Sequence, residues 1–197
     1  QMPGMYRDGE YDLAGCIVGV VDRAEIIDGS KIKPDDIALG LPSNGLHTNG
    51  YSLARKILFD QMQLKPSSTF DRFGGTIGEE LLRVHKNYQP LLARVPKGLI
   101  KGLAHITGGG LIDNVPRVLP KNCDAVIETK SWRIPRIFQI LQRNGKVDSA
   151  EMYQVFNMGI GMVAIVRAHD AKRAMSILRA RRIGHIERGS GKTCLLS

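Results

Sequence analysis

With 197 residues, 43% of them hydrophobic and 24% charged, the chain can bury one sizeable core, or one domain and part of another. No apolar run approaches the ~20 residues of a membrane span, and no segment reads as a secretory leader, which argues against a membrane or export role. The net charge of +9 is concentrated in residues 131–197, yet Lys172, Arg173, Arg179, Arg181 and Arg182 follow one another along a predicted helix without interleaved aromatics, the pattern of a solvated face rather than of a nucleic-acid footprint.

In chain order, residues 1–10 read as a loop punctuated by Pro3, Gly4 and Gly9. Gln1 stands where an initiator methionine would, so the chain is expected to be an internal or processed piece. Residues 13–21 are apolar, β-branched and uncharged, which predicts a buried strand. A polar stretch from Asp22 to Asp36 suggests a domain boundary near residue 24, and Ile37 to Leu41 predicts the next strand. Ser52 is placed to cap a helix whose inner face carries Leu53, Ile57, Leu58 and Met62. Residues 76–94 predict a helix opened by a Thr76…Glu79 capping box and bent or divided at Pro90.

A strand is predicted over residues 99–106, followed by three glycines and a short helix carrying Leu111, Ile112 and Val115. Beyond it come a strand over 123–127, a helix over 134–144 ended by Gly145, and a helix over 149–156. A strand through Gly159 and Gly161, a helix over 170–181 and a strand over 183–186 complete the order, an α+β sheet covered by helices. Cys16, Cys123 and Cys194 are odd in number and widely spaced, and Cys16 and Cys123 lie in apolar runs, so buried free thiols and a reducing cytoplasm are expected. His47, His85, His105, His169 and His185 show no metal-ligand spacing, and no structural metal is expected.

Two strand–loop–helix units carry the chemistry. Residues 43–52 (Ser43, Asn44, Gly45, Leu46, His47, Thr48, Asn49, Gly50, Tyr51, Ser52) are dense in small hydrogen-bonding groups. Thr107, Gly108, Gly109, Gly110 and Asn114 follow the second strand, and bare backbone N–H groups before a helix suit a phosphate. A tight βα connection that needs positive φ would also place glycines there. Both loops are expected at one end of the sheet.

Five blocks resemble the phosphoribosylformylglycinamidine cyclo-ligase family, the aminoimidazole ribonucleotide synthetases: Met2 to Tyr6, Tyr11 to Gly15, Ser43 to Leu53, His105 to Pro120, and Phe156 to Met162. The segment from Val84 to Tyr88 departs from that family's common Pro-Thr-Arg-Ile-Tyr wording. The resemblance implies the three-layer α/β/α C-terminal domain of such enzymes over residues 25–197, preceded over 1–24 by the last strand of an ATP-binding N-terminal domain. It implies ATP-dependent closure of formylglycinamidine ribonucleotide to aminoimidazole ribonucleotide, in a homodimer, with ATP and Mg2+ held mainly by the N-terminal domain of the same chain. His47 and His105 would be catalytic. Ser43, Asn44, Gly45, Asn49, Ser52, Thr107, Gly108, Gly109, Gly110 and Asn114 would bind substrate or phosphate. The same architecture serves formylglycinamidine ribonucleotide synthetase, selenophosphate synthetase and thiamine-phosphate kinase, and a basic nucleic-acid-binding module is the alternative outside the enzymes.

Overall fold

The computed structural model describes residues 11, 14–69 and 74–196. Six strands form one sheet: β1 (Ile37–Pro42), β2 (Ile100–His105), β3 (Cys123–Glu128), β4 (Ile160–Val166), β5 (Arg181–Arg188) and β6 (Thr193–Leu196). Their order is β2-β4-β1-β5-β3-β6, and every pairing is antiparallel except that of β3 with β6. The central strands β1 and β4 are buried on both faces and read as continuous apolar runs.

Alternation along β1 sends Ala38 to one core and Ile37, Leu39 and Leu41 to the other. The larger core packs α1 (Tyr51–Arg55), α2 (Ile77–Leu81), α4 (Gly110–Asn114), α5 (Arg136–Gly145) and α6 (Ser149–Val155) on one face, through residues such as Ile57, Leu111, Phe138 and Phe156. The smaller packs α3 (Gln89–Leu92) and α7 (Ala171–Leu178) on the other, through Leu91, Ala174 and Leu178. Helices on both faces of a mixed sheet make the expected three-layer α+β domain. No helix among the described residues is long and apolar enough to cross a membrane.

Several local expectations are corrected. Residues 14–22 form neither strand nor helix, and Ile17 and Val20 are 97% and 99% exposed; Leu13 lies outside the described residues. β-Branched composition supplies strand propensity, but a strand also needs an edge to pair with, and no pairing engages this run among the described residues. Cys16 is accordingly exposed, whereas Cys123 is buried as expected.

The helix predicted over 76–94 is two short helices separated by irregular chain at 82–88. The Thr76–Glu79 capping box forms, but Pro90 opens α3 instead of bending a longer helix. Its ring would collide with the Lys86 carbonyl of a continuous helix. Ser52 is exposed inside α1 and caps nothing; Gly50, with φ +76°, takes the N-cap position. Likewise α5 ends in a left-handed Lys146, while Gly145 lies within the helix where any Cβ would strike Ile57. β6, beyond the last predicted strand, was not legible in the sequence.

Candidate functional site

β1 and β2 flank β4 and both run antiparallel to it, so Pro42 and His105 end at the same edge of the sheet, opposite Ile160 and Met162. The two polar loops therefore meet. The contact is direct: the Gly108 N–H donates to Asn49 Oδ1 at 2.9 Å.

The first loop is held from below by Asn157, which is 3% exposed. Its Oδ1 accepts from Ser43 Oγ at 2.9 Å and from the Gly159 N–H at 2.8 Å. Its Nδ2 donates to the carbonyls of Gly45 and Leu46 at 2.9 and 3.2 Å. Asn44 reaches the other way, Nδ2 donating to the Val84 carbonyl at 2.9 Å. Ser43, Asn44 and Gly45 thus belong to the loop's own scaffold.

The second loop is tied by Asn114, whose Nδ2 lies 3.3, 3.1 and 2.8 Å from the carbonyls of Thr107, Gly108 and Gly110. Its Oδ1 accepts from Thr107 Oγ1 at 3.0 Å. Buried and fully engaged, Asn114 shapes the turn instead of facing a ligand. The Gly110 N–H donates to the Thr107 carbonyl, so two of the three glycine N–H groups have partners inside the protein. Gly110 has φ +59°, and a Cβ there would penetrate the Tyr153 carbonyl oxygen. The turn and its packing account for Gly110.

Between the loops runs the irregular segment 82–88. Lys86 Nζ and the Tyr88 hydroxyl both donate to the Pro42 carbonyl, at 3.0 and 3.1 Å. His85 stacks on His47 with ring centroids 4.0 Å apart and an interplanar angle of 24°. On its other side its Nε2 lies 3.2 Å from Nε2 of His105. Three histidines thus stand in a row, one from each segment. Gly161 makes room for them, since a Cβ there would meet the Tyr88 hydroxyl and His47 Cε1. Ser52 lies apart, on the exposed side of α1. Sequence reasoning missed His85, Tyr88 and Asn157, whereas the close approach at Gly161 is as expected of a glycine within a strand. Pro90 was the available signal for the first two, because it disfavours helix before it.

His47 is 3% exposed and has φ +59°. His47 Nε2 meets both groups of Asn44: the backbone N–H donates to it at 3.3 Å, and Oδ1, oriented by the Val84 carbonyl, lies 2.9 Å away. Its buried Nδ1 has no hydrogen-bond partner. With both ring nitrogens protonated, the cation would be buried with its Nδ1–H unpaired. Burial accordingly pushes the imidazole down to about 4, assisted by His85, His105 and Lys86. Burial, and after it His85, also lowers His105; burial, and then Arg179, lowers Lys86; burial raises Tyr88.

A histidine lowered on folding contributes stability that is complete above its unfolded value near 6.5 and is lost as pH falls toward 4, because only the unfolded chain takes the proton. Urea unfolding at pH 7.5 and pH 4.5 should show a loss on the order of 2–3 kcal/mol that His47→Gln largely removes. An equal loss in both proteins would contradict a neutral buried His47.

Among the described residues no three His, Cys, Asp or Glu side chains are placed to hold a metal ion.

The model of the family "AIR synthase related protein, C-terminal domain" matches residues 33–195. Proteins named phosphoribosylformylglycinamidine cyclo-ligase are similar along the chain. That of Alkaliphilus oremlandii (strain OhILAs) is 45% identical over 99% of this chain and 59% of its own length. That of Syntrophus aciditrophicus (strain SB) is 46% identical over 100% and 58%; that of Paraburkholderia phymatum is 51% identical over 91% and 50%. The chain therefore spans somewhat over half the length of these relatives. Among solved structures, hydrogenase maturation protein HypE aligns with TM-score 0.56 at 16% identity, over 85% of this chain and 51% of that one. Thiamine-monophosphate kinase from Stenotrophomonas maltophilia K279a aligns with TM-score 0.56 at 14% identity, over 89% and 54%. These two likenesses concern the fold. With residues 33–195, well over half of its length, matched by the family model, the chain belongs to the AIR synthase related protein C-terminal domain family.

Proposed function

We propose that this chain supplies the C-terminal half of a cyclo-ligase active site, for ATP-dependent closure of formylglycinamidine ribonucleotide to aminoimidazole ribonucleotide. The observation that carries the reading is the match of nearly the whole of this chain to somewhat over half of relatives bearing that name. The meeting of two polar loops at one sheet edge supports it.

In this proposal the chain's residues bind and orient the ribonucleotide. Asn49 and the Gly108 backbone, joined at 2.9 Å, form the floor, and exposed His105 faces the ligand. His47, buried and neutral, positions the loop through Asn44 and the stack; we assign it no proton transfer. When bound, ATP supplies the phosphoryl group that turns the formyl oxygen into a leaving group. ATP and magnesium would be held by an N-terminal domain, in a cytoplasmic homodimer.

Substituting this chain for the corresponding half of the Alkaliphilus oremlandii enzyme should give a chimera that forms aminoimidazole ribonucleotide with ATP, while the chain alone forms none. Positioning both reactants supplies much of such a rate, and half a cleft cannot position them. A folded chimera that binds ATP but makes no product overturns the reading. Turnover by the chain alone overturns the division of labour between the halves.

A further inference from the structure

The His85–His105 contact has a chemical consequence of its own. Nε2 atoms 3.2 Å apart can share one hydrogen, one ring donating and the other accepting; two N–H groups cannot point at each other there. His85 Nδ1 faces Thr48 Oγ1 at 3.5 Å. One added proton leaves an imidazolium donating to a neutral imidazole, a charge-assisted bond. A second proton would set two N–H groups face to face and break that bond.

The surroundings are basic. From the loop after β1 comes His47, neutral and stacked on His85. From the same segment comes Lys86, bonded to the Pro42 carbonyl, and near Lys86 stands Arg179 from the end of α7. Glu80 of α2 is already paired with Arg83 at 2.8 Å. Tyr88 is bonded to Pro42. Among the described residues, each charged group that acts on His47 or His105 is basic. Exposed His105 and partly exposed His85 open onto the junction of the two loops.

We propose that His85 and His105 form a one-proton couple that receives the oxyanion of a phosphate-bearing ligand at the mouth of the two loops, with His85 a binding residue in its own right. The couple binds best with one proton aboard: without it the site lacks its cation, and with two the rings part. The inference rests on reading these loops as a ligand site, but not on the ring-closing chemistry.

The test is a histidine Cε1–H NMR titration of the full chain over about pH 5 to 8, with and without millimolar inorganic phosphate. His85 and His105 should titrate in two separated steps, and phosphate should move the first step upward. His85→Phe keeps the stack on His47 and removes the shared hydrogen. It should collapse His105 to a single step and weaken phosphate about tenfold, near the value of one charge-assisted hydrogen bond. If His85→Phe fails to fold, His85→Gln serves in its place. Independent titration of the two rings, or phosphate binding equally tight in the variant (an adventitious ion only), overturns the proposal. Both readouts are independent of turnover, so loss of activity in the chimera strikes the cyclo-ligase reading and leaves this one standing.

Discussion

Gly110→Ala is expected to lower the stability of the domain by about 4 kcal/mol or more, enough to leave much of it unfolded. Two effects combine. At φ +59° an L side chain is strained by about 1–2 kcal/mol, and the new Cβ would overlap the Tyr153 carbonyl oxygen and crowd that of Phe156. Those carbonyls belong to α6 and the chain leaving it, which pack against α4, so the clash cannot be relieved by turning a flexible side chain. Gly108→Ala is the matched control. Its Cβ would find only Asn49 Oδ1, at 3.5 Å, and its φ is not positive. Urea unfolding should place the control within about 1 kcal/mol of the parent. Equal stability of the two variants would show that the glycine turn is not packed against α6.

Asn157→Ala should cost about 3 kcal/mol and release the first loop. The side chain satisfies two carbonyls, one backbone N–H and one hydroxyl beneath residues 43–47, in a site that is almost wholly buried. Removing it leaves those groups desolvated and unpaired. Asn157→Asp should be no better, since the two donors to Gly45 and Leu46 disappear and a charge is buried in their place. Hydrogen exchange gives the local readout: the Gly159 N–H, bonded to Asn157 Oδ1, should lose protection while amides of β3 and β5 keep theirs. Unchanged protection at Gly159 would mean that the loop is held by other contacts.

Periodicity, capping and turn chemistry settled the existence of most elements, because each depends on neighbours within a few residues. The Thr76–Glu79 box, the strand into the triple glycine and the amphipathic helix of Ile137, Phe138 and Leu141 are local in this sense. So is the dense run of small polar groups from Ser43 to Asn49, which marked the site. Tertiary structure decided what each of those groups does. Asn114 and Asn157 look alike in sequence to Asn49, yet carbonyls of its own turn engage Asn114, carbonyls of the distant first loop engage Asn157, and only Asn49 reaches across to the other loop. Residues 14–21 carry every mark of a buried strand and are exposed, since a strand is completed by a partner edge and not by its own side chains. His47, His85 and His105 are dispersed in the chain; the antiparallel registers of β1 and β2 on β4, and the break before Pro90, bring their rings into one row. Composition and spacing determined which elements form and where polar groups gather, and the long-range pairing of strands determined which of those groups are buried and which stay exposed.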